Sequence, residues 1–409
     1  MSGLSIAIVG AGIGGLTAAL ALARQGHAVT LIERRPGFSE VGAGLQLSPN
    51  ASRILTDLGL GPALRRVVTE PRRVVVRDIG AGREIGQIAL GAFMRERFGA
   101  PYWVVHRADL QTILLDAVRS MSSIRLVMGR MVDETVDASD QVTASLVTAK
   151  GARESASFDL LVGADGGWSK VRRSLGDAKP PEYRGYVAWR ATLDRAEAPP
   201  ALAGDETGLW LGPRGHVVHY PISGGRLVNV VAIEKSAEPV DGWADPGDGE
   251  ILLARYASAA SSLRQLLAGP SQWLRWSLFD HPAGRMAKGR IALLGDAAHP
   301  VLPFLAQGAA LAIEDAATLA SLLRQDTWTV PQALSRYEAE RVPRARRVQG
   351  LARQNGRVYH AGGLVGFGRN LVMGRLGPEG MTERYAWLYG YRPPAATRPD
   401  GLAPDAPAR

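Results

Sequence analysis

Residues 4–33 constrain this chain more than any other segment. Leu4-Ser5-Ile6-Ala7-Ile8-Val9 is a short apolar, β-branched run suited to a strand buried on both faces. It breaks at Gly10-Ala11-Gly12-Ile13-Gly14-Gly15, which sets glycines at 10, 12 and 15 in the Gly-x-Gly-x-x-Gly spacing. A helix-forming run from Leu16 to Arg24 follows, stopped by Gly26. Ala28-Val29-Thr30-Leu31-Ile32 then reads as a second strand closed by Glu33. Gly10 permits the tight turn, Gly12 lets a pyrophosphate approach the backbone, and Gly15 lets helix and strand pack closely. The helix N-terminus meets the phosphate charge. Glu33, 23 residues beyond Gly10, stands near the ~20-residue offset of a carboxylate that binds a ribose hydroxyl. Glycine spacing alone is a weak signal; between a strand and a helix, with an acid closing the next strand, it is a strong one. The implied ligand is an ADP-containing dinucleotide, FAD or NAD, because Glu33 would repel the 2′-phosphate of NADP.

The remaining composition mostly excludes. The 409 residues contain no cysteine, which removes disulfides, thiolate nucleophiles, Cys-ligated zinc and iron–sulfur clusters and fits a cytoplasmic location. At this length the chain makes two or three domains, or one large α/β domain with insertions. The net charge of +9 rests on 48 Lys and Arg, of which only five are Lys, and they are scattered. Without a basic stripe or a reading motif this is not a nucleic-acid-binding design, and the field suits anionic small molecules instead. The first 23 residues carry no charged side chain. No Lys or Arg precedes their apolar run, however, and glycine turns interrupt it, so neither a signal peptide nor a membrane span is expected.

Two later segments choose between FAD and NAD. Asp159 to Arg172 reads as a buried strand, an acidic turn at Asp165-Gly166 and a helix start capped by Ser169. Arg290 to Pro300 again delivers an acid, Asp296, to the carboxyl end of a buried strand, where ligands bind in open α/β sheets. Gln307-Gly308-Ala309-Ala310 then opens a helix running to Leu323, whose N-terminal dipole and free N–H groups suit negative charge on a reduced flavin. No second Gly-x-Gly-x-x-Gly occurs, so a second nucleotide-binding domain is not expected.

The three segments, in this order, resemble those of the class A flavin aromatic hydroxylases, relatives of p-hydroxybenzoate hydroxylase. Within them the chain is most similar to the salicylate, 3-hydroxybenzoate and 6-hydroxynicotinate hydroxylases, from residue 4 to about 392. The resemblance implies FAD, with Gly10, Gly12, Gly14 and Gly15 at the pyrophosphate and Glu33 and Arg34 at the adenosine ribose. It places Arg107, in His106-Arg107-Ala108-Asp109-Leu110, on the cofactor and the Val132 backbone against adenine. Asp296 is assigned to the ribityl chain, Gly308 and Ala309 to the isoalloxazine, and Asp165 to both FAD and NAD(P)H. It also implies an α/β fold: a Rossmann-like FAD-binding domain (1–70, 102–178, 286–325), an inserted antiparallel-sheet substrate domain (71–101, 179–285) and a C-terminal helical segment (326–391). A disordered tail (392–409), rich in Pro and Ala, is expected to follow.

Between about 179 and 285 the pattern becomes alternating strands at hairpin spacing, suggesting a sheet that roofs the flavin. In a strand, His216, Val218 and Tyr220 share one face and His219 lies on the other. The related hydroxylases place a His and a Tyr four residues apart, with a Gln before the flavin-facing Gly, around the substrate hydroxyl. His216, Tyr220 and Gln307 match those places. Losing a phenolic proton enriches the ring for electrophilic attack by a flavin hydroperoxide, and a His with a near-neutral pKa suits that base role. Gln46 is a candidate pocket residue where the hydroxynicotinate enzymes carry a His, and Arg190 or Arg214 is a candidate for a substrate carboxylate. His299 is read as structural. The Arg-rich helix from about 331 to 357 is expected to be exposed or subunit-facing, in a monomer or homodimer. The expected activity is FAD-dependent hydroxylation, using NADH or NADPH and O2, of a small phenolic or heteroaromatic acid. The alternatives are a larger polycyclic substrate on the same fold or a non-catalytic flavin-binding sensor.

Overall fold

In the computed structural model, which describes residues 3–38, 44–324 and 328–394, the amino-terminal unit forms as its pattern requires. Strand Ser5–Val9 is buried after its first residue. It pairs in parallel with Ala28–Glu33 on one side and Leu160–Gly163 on the other. Ile291–Leu293 continues the sheet in parallel beyond Leu160–Gly163, and Ile124–Met128 closes the far side. Because these strands run the same way, their carboxyl ends share one edge. Gly10, Glu33, Asp165 and Asp296, each just past or at the end of its strand, arrive there together.

Helix Ile13–Ala23 starts three residues earlier than the sequence pattern suggests, because the glycines after Gly12 are already helical. It packs between helices Gly308–Leu323 and Arg107–Arg119. Gly14 explains the closeness: a Cβ there would lie 2.8 Å from Leu294 Cδ1 and 3.1 Å from Ala312 Cβ. The missing Cβ of Gly14 thus serves helix packing, a role that the glycine spacing alone does not show.

The second sheet has eight strands, antiparallel except where Thr207–Gly212 runs alongside Arg73–Asp78. Alternation gives it two buried faces. Trp189, Val217, Val230 and Ala232 lie under the helices Gly249–Arg255 and Ser261–Ala268 on the outer face. Ala188, Ile233, Tyr220 and Leu209 face inward, against Phe304, Leu302 and Leu311. A three-stranded sheet, Arg130–Asp137, Val142–Thr148 and Arg153–Phe158, flanks the parallel one.

The long helix Val330–Tyr359 begins at a Thr329–Gln332 capping box. It is not simply the exposed element its arginines suggest. Arg341 is fully buried, its Nε 2.7 Å from Asp315 Oδ1 and its Nη2 2.8 Å from Glu314 Oε2. Helix Gly363–Glu383 follows, broken at Gly377. Of the expected tail, residues 395–409 lie outside the described residues, and its start is packed: the Pro394 carbonyl accepts from Ser321 Oγ at 2.5 Å. Among the described residues no helix is long and apolar enough to cross a membrane.

Candidate active site

A cleft of about 240 Å³ opens at the carboxyl edge of the parallel sheet. Gly10, Gly12, Glu33 and Arg34 line its first side, and Arg107, Val132 and Asp165 line the other. Gly10 holds φ +104°, a conformation side chains avoid, and a Cβ there would strike the Ala164 carbonyl oxygen at 2.4 Å. Gly15 lies just outside the cleft, where a Cβ would overlap the Gly10 carbonyl oxygen at 1.9 Å. At Gly12, by contrast, an added Cβ would meet nothing within 4 Å. The Gly12 cap makes no side-chain bond, and no acid sits in the first helical turn. These N–H groups and the open space at Gly12 fit a pyrophosphate. The cleft carries five cations, Arg34, Arg35, Arg107, Arg130 and Lys170, against the carboxylates of Glu33 and Asp165.

Two acids are held in place by backbone. Glu33 accepts from Ala11 N–H and Arg35 N–H, both at 2.9 Å, which ties the second strand to the glycine turn. Asp165 accepts from Ser169 Oγ at 2.5 Å and from Lys170 N–H at 2.8 Å. Ser169 in turn accepts from Arg172 N–H at 3.0 Å, so it caps a single short turn. Burial raises the Asp165 carboxyl, with these hydrogen bonds opposing. Asp296 is exposed at the end of its strand, where desolvation by the surrounding fold raises its carboxyl against the pull of His299 and Arg107. Arg107 therefore joins the cleft to the Asp296 side.

Helix Gly308–Leu323 likewise starts without a side-chain cap or an early acid, and a Cβ on Gly308 would meet nothing within 4 Å. Gly308 and Ala309 are half-buried at this open N-terminus, a second anion-compatible end that fits the flavin ring. Gln307, one residue before, is turned elsewhere. Its Oε1 accepts from Asn50 Nδ2 at 3.1 Å, its Nε2 donates to Ser48 Oγ at 2.9 Å, and Ser48 Oγ donates to Asn50 Oδ1 at 2.6 Å. Asn50 Nδ2 also donates to Glu314 Oε1 at 2.6 Å. Arg341 and Arg344 complete this buried group on Glu314. His299 belongs to it as a structural residue, with Nε2 2.7 Å from Asp315 Oδ2. Burial alone would raise the Asp315 carboxyl, but His299 and Arg341 outweigh it and hold it at about 2.

On the inner face of the roofing sheet, His216 and Tyr220 point the same way and His219 the other. Tyr220 stands beside Gly44: a Cβ there would be 2.4 Å from its ring. Gln46 lies between Tyr102, whose hydroxyl donates to Gln46 Oε1, and Tyr220. Burial raises the pKa of both tyrosines, so both remain neutral. Asn229 accepts from Gly44 N–H at 2.8 Å, while its Nδ2 is buried with no partner among the described residues. Arg190 is not brought into this group; its guanidinium lies over Trp276 and donates to the Trp243 carbonyl at 3.0 Å. His216 differs from expectation too. Burial first, then His360, pushes its pKa well below the usual value rather than leaving it near neutral.

This arrangement defines a flavin enzyme, and the chain belongs to the FAD binding domain family, whose model matches residues 4–352. It is an FAD-dependent aromatic hydroxylase. It is 38% identical to 3-hydroxybenzoate 6-hydroxylase of Klebsiella oxytoca over 387 residues, 94% of this chain and 96% of that one. It is 35% identical to 6-hydroxynicotinate 3-monooxygenase of Bordetella bronchiseptica over 358 residues, 86% of this chain and 91% of that protein. HpxO of Klebsiella pneumoniae, solved with FAD and uric acid, superposes with a TM-score of 0.83 at 30% identity, covering 95% of this chain and 97% of that one.

Sequence reasoning missed Ser48, Asn50, Tyr102, Asn229 and His360. None sits in a motif, and each reaches the site across tens of residues of chain. Only Tyr102, in an apolar run ending at His106, had a local hint of burial.

Proposed function

We propose that the chain hydroxylates a small aromatic acid bearing a phenolic hydroxyl, with NADH or NADPH as electron donor. The observation that carries this reading is the grouping of neutral polar side chains, buried Tyr102, Tyr220 and Asn229 with half-buried Gln46, against the inner face of the roofing sheet, where strand Gly44–Leu47 packs on helix Gly308–Leu323. Their number suits a carboxylate and a ring. Gln46 in place of His favours a hydroxybenzoate over a hydroxynicotinate. FAD, held by Gly10, Gly12, Glu33, Arg34, Arg107, Val132, Asp165 and Asp296, supplies electron acceptance from the donor and activation of oxygen.

The protein's own work is placement, dryness and one proton. Tyr220 donates to the acid group, held in place by Gln46, which is fixed in turn by Tyr102. The apolar inner face of the sheet keeps water from the ring. His216, neutral through burial, accepts the phenolic proton. Its low basicity makes that transfer concerted: the hydroxyl becomes acidic as the ring is attacked, and the proton leaves then. Gln307 acts through structure, because the Ser48–Asn50–Gln307 ring fixes the loop that presents Gly308.

Two variants separate these roles. H216F is expected to lower kcat by about 100-fold with little change in substrate Kd. Y220F is expected to raise Kd by about tenfold, the loss of one hydrogen bond to a charged group. Stopped-flow and flavin-fluorescence titrations read both. Equal losses in kcat and Kd for both variants would contradict the division.

A further inference from the structure

His216 does not stand alone. Its Nδ1 lies 2.9 Å from Nε2 of His360, the residue that caps the long helix Val330–Tyr359. The two rings are 5.2 Å apart, between Phe304, Tyr359 and Tyr186. His216 is 1% exposed and His360 7%. A short bond between two buried imidazoles needs one donor and one acceptor, so it selects a tautomer for each ring. Which tautomer His216 adopts decides which nitrogen is left for a ligand, the logic by which a neighbour orients a catalytic histidine.

We propose that His360 is a positioning residue: its Nε2 accepts the Nδ1 proton of His216, which leaves the Nε2 lone pair of His216 to take the proton of the substrate hydroxyl. This rests on the base role read for His216. The balance is simple. The phenolic O–H breaks and a bond to His216 Nε2 forms. The Nδ1 proton of His216 crosses to His360 Nε2, His216 ends neutral in the other tautomer, and His360 carries the charge until the product oxygen takes its proton back along the same path, because the other nitrogen of His360 is buried away from solvent. No oxidant or reductant takes part.

The surroundings of His360 suit a transient carrier. The charged groups that face it are both cations, Lys235 at the end of the adjacent strand Leu227–Lys235 and Arg369 on the following helix. Arg369 Nη1 donates to the carbonyls of Val358, Tyr359 and Ala361, bracketing His360. Tyr186 and Tyr359 stay un-ionised, and no carboxylate shifts His360. Burial and then the two cations hold it at about 4, so it gives up a proton readily.

The test uses 15N-histidine-labelled holoprotein and the variants H360F and H360Q. H360Q supplies an acceptor for the Nδ1 proton but cannot carry charge onward. The expected spectrum shows His216 protonated at Nδ1 in the wild type and in H360Q, and a mixture of tautomers in H360F. Expected kcat falls by about 100-fold in H360F with KM changed less than about threefold, and H360Q recovers part of it. A wild-type His216 protonated at Nε2 would overturn the proposal, and that measurement stands even if H360F does not fold. So would a folded, FAD-loaded H360F with undiminished kcat. If H216F itself keeps full kcat, the base reading has failed. If H216F is slow while H360F is normal, only the positioning role has.

Discussion

Gly12 and Gly15 sit three residues apart in one motif and do opposite things. A methyl at Gly12 enters open space, whereas one at Gly15 overlaps the Gly10 carbonyl oxygen. G12A is therefore expected to fold with an unchanged melting temperature and lose FAD affinity by at least about tenfold, because the methyl stands where the pyrophosphate approaches. G15A is expected to cost about 2 kcal/mol or more, because backbone must move. Thermal melts with and without FAD distinguish them; a stable, FAD-retaining G12A would contradict the assignment. The cofactor side was legible because a strand, a turn and a helix are adjacent in sequence and each glycine has a local reason. Gly14 has a second reason that spacing does not show: the place of its missing Cβ faces Ala312 of a distant helix. The substrate side was legible only through period-two alternation, which put His216 and Tyr220 on one face. It is silent on Asn229 and His360, whose meaning depends on contacts made across the fold.

At the scale of elements, the long helix Val330–Tyr359 shows where charge counting misleads. Its arginines suggested an exposed face. Yet Leu334, Tyr337, Arg341, Ala345, Val348 and Ala352 form its buried stripe at three- and four-residue spacing. Arg341 occupies a core position of that stripe, and the periodicity, read strictly, carries the signal. Its partners Glu314 and Asp315 lie on helix Gly308–Leu323, the element that presents Gly308. R341M is expected to destabilise the fold by about 3–5 kcal/mol, since it leaves two buried carboxylates with Arg344 and His299 as their remaining cationic partners. Denaturant unfolding measures it. A loss below about 1 kcal/mol would show that the group contributes orientation and not stability.

For the whole molecule, buried histidines set the acid limb of stability. His219 lies on the outer face of the roofing sheet with neither ring nitrogen partnered among the described residues, and burial, aided by Arg77, holds it at about 3. His216, and His360 at about 4, are depressed as well. The unfolded chain protonates these groups near their ordinary value while the folded protein does not. Stability is thus full above about pH 6.5 and falls as pH drops toward 3, by roughly 1.4 kcal/mol per pH unit for each such histidine. His299, raised by Asp315 against burial, works the other way and favours the folded state on the acid side. H219L is expected to flatten the acid limb by one proton's worth of slope. An unchanged slope would mean that His219 gains a proton, or a water partner, within the fold.

NADH and NADPH oxidation by the FAD-loaded protein, measured against hydroxybenzoates, hydroxynicotinates and larger phenols with product mass read in parallel, tests the central claim most directly. A small hydroxybenzoate is predicted to stimulate oxidation most strongly and to gain one oxygen atom. Bound flavin with no stimulation by any small phenolic acid, or stimulation and oxygenation confined to the larger phenols, would contradict it.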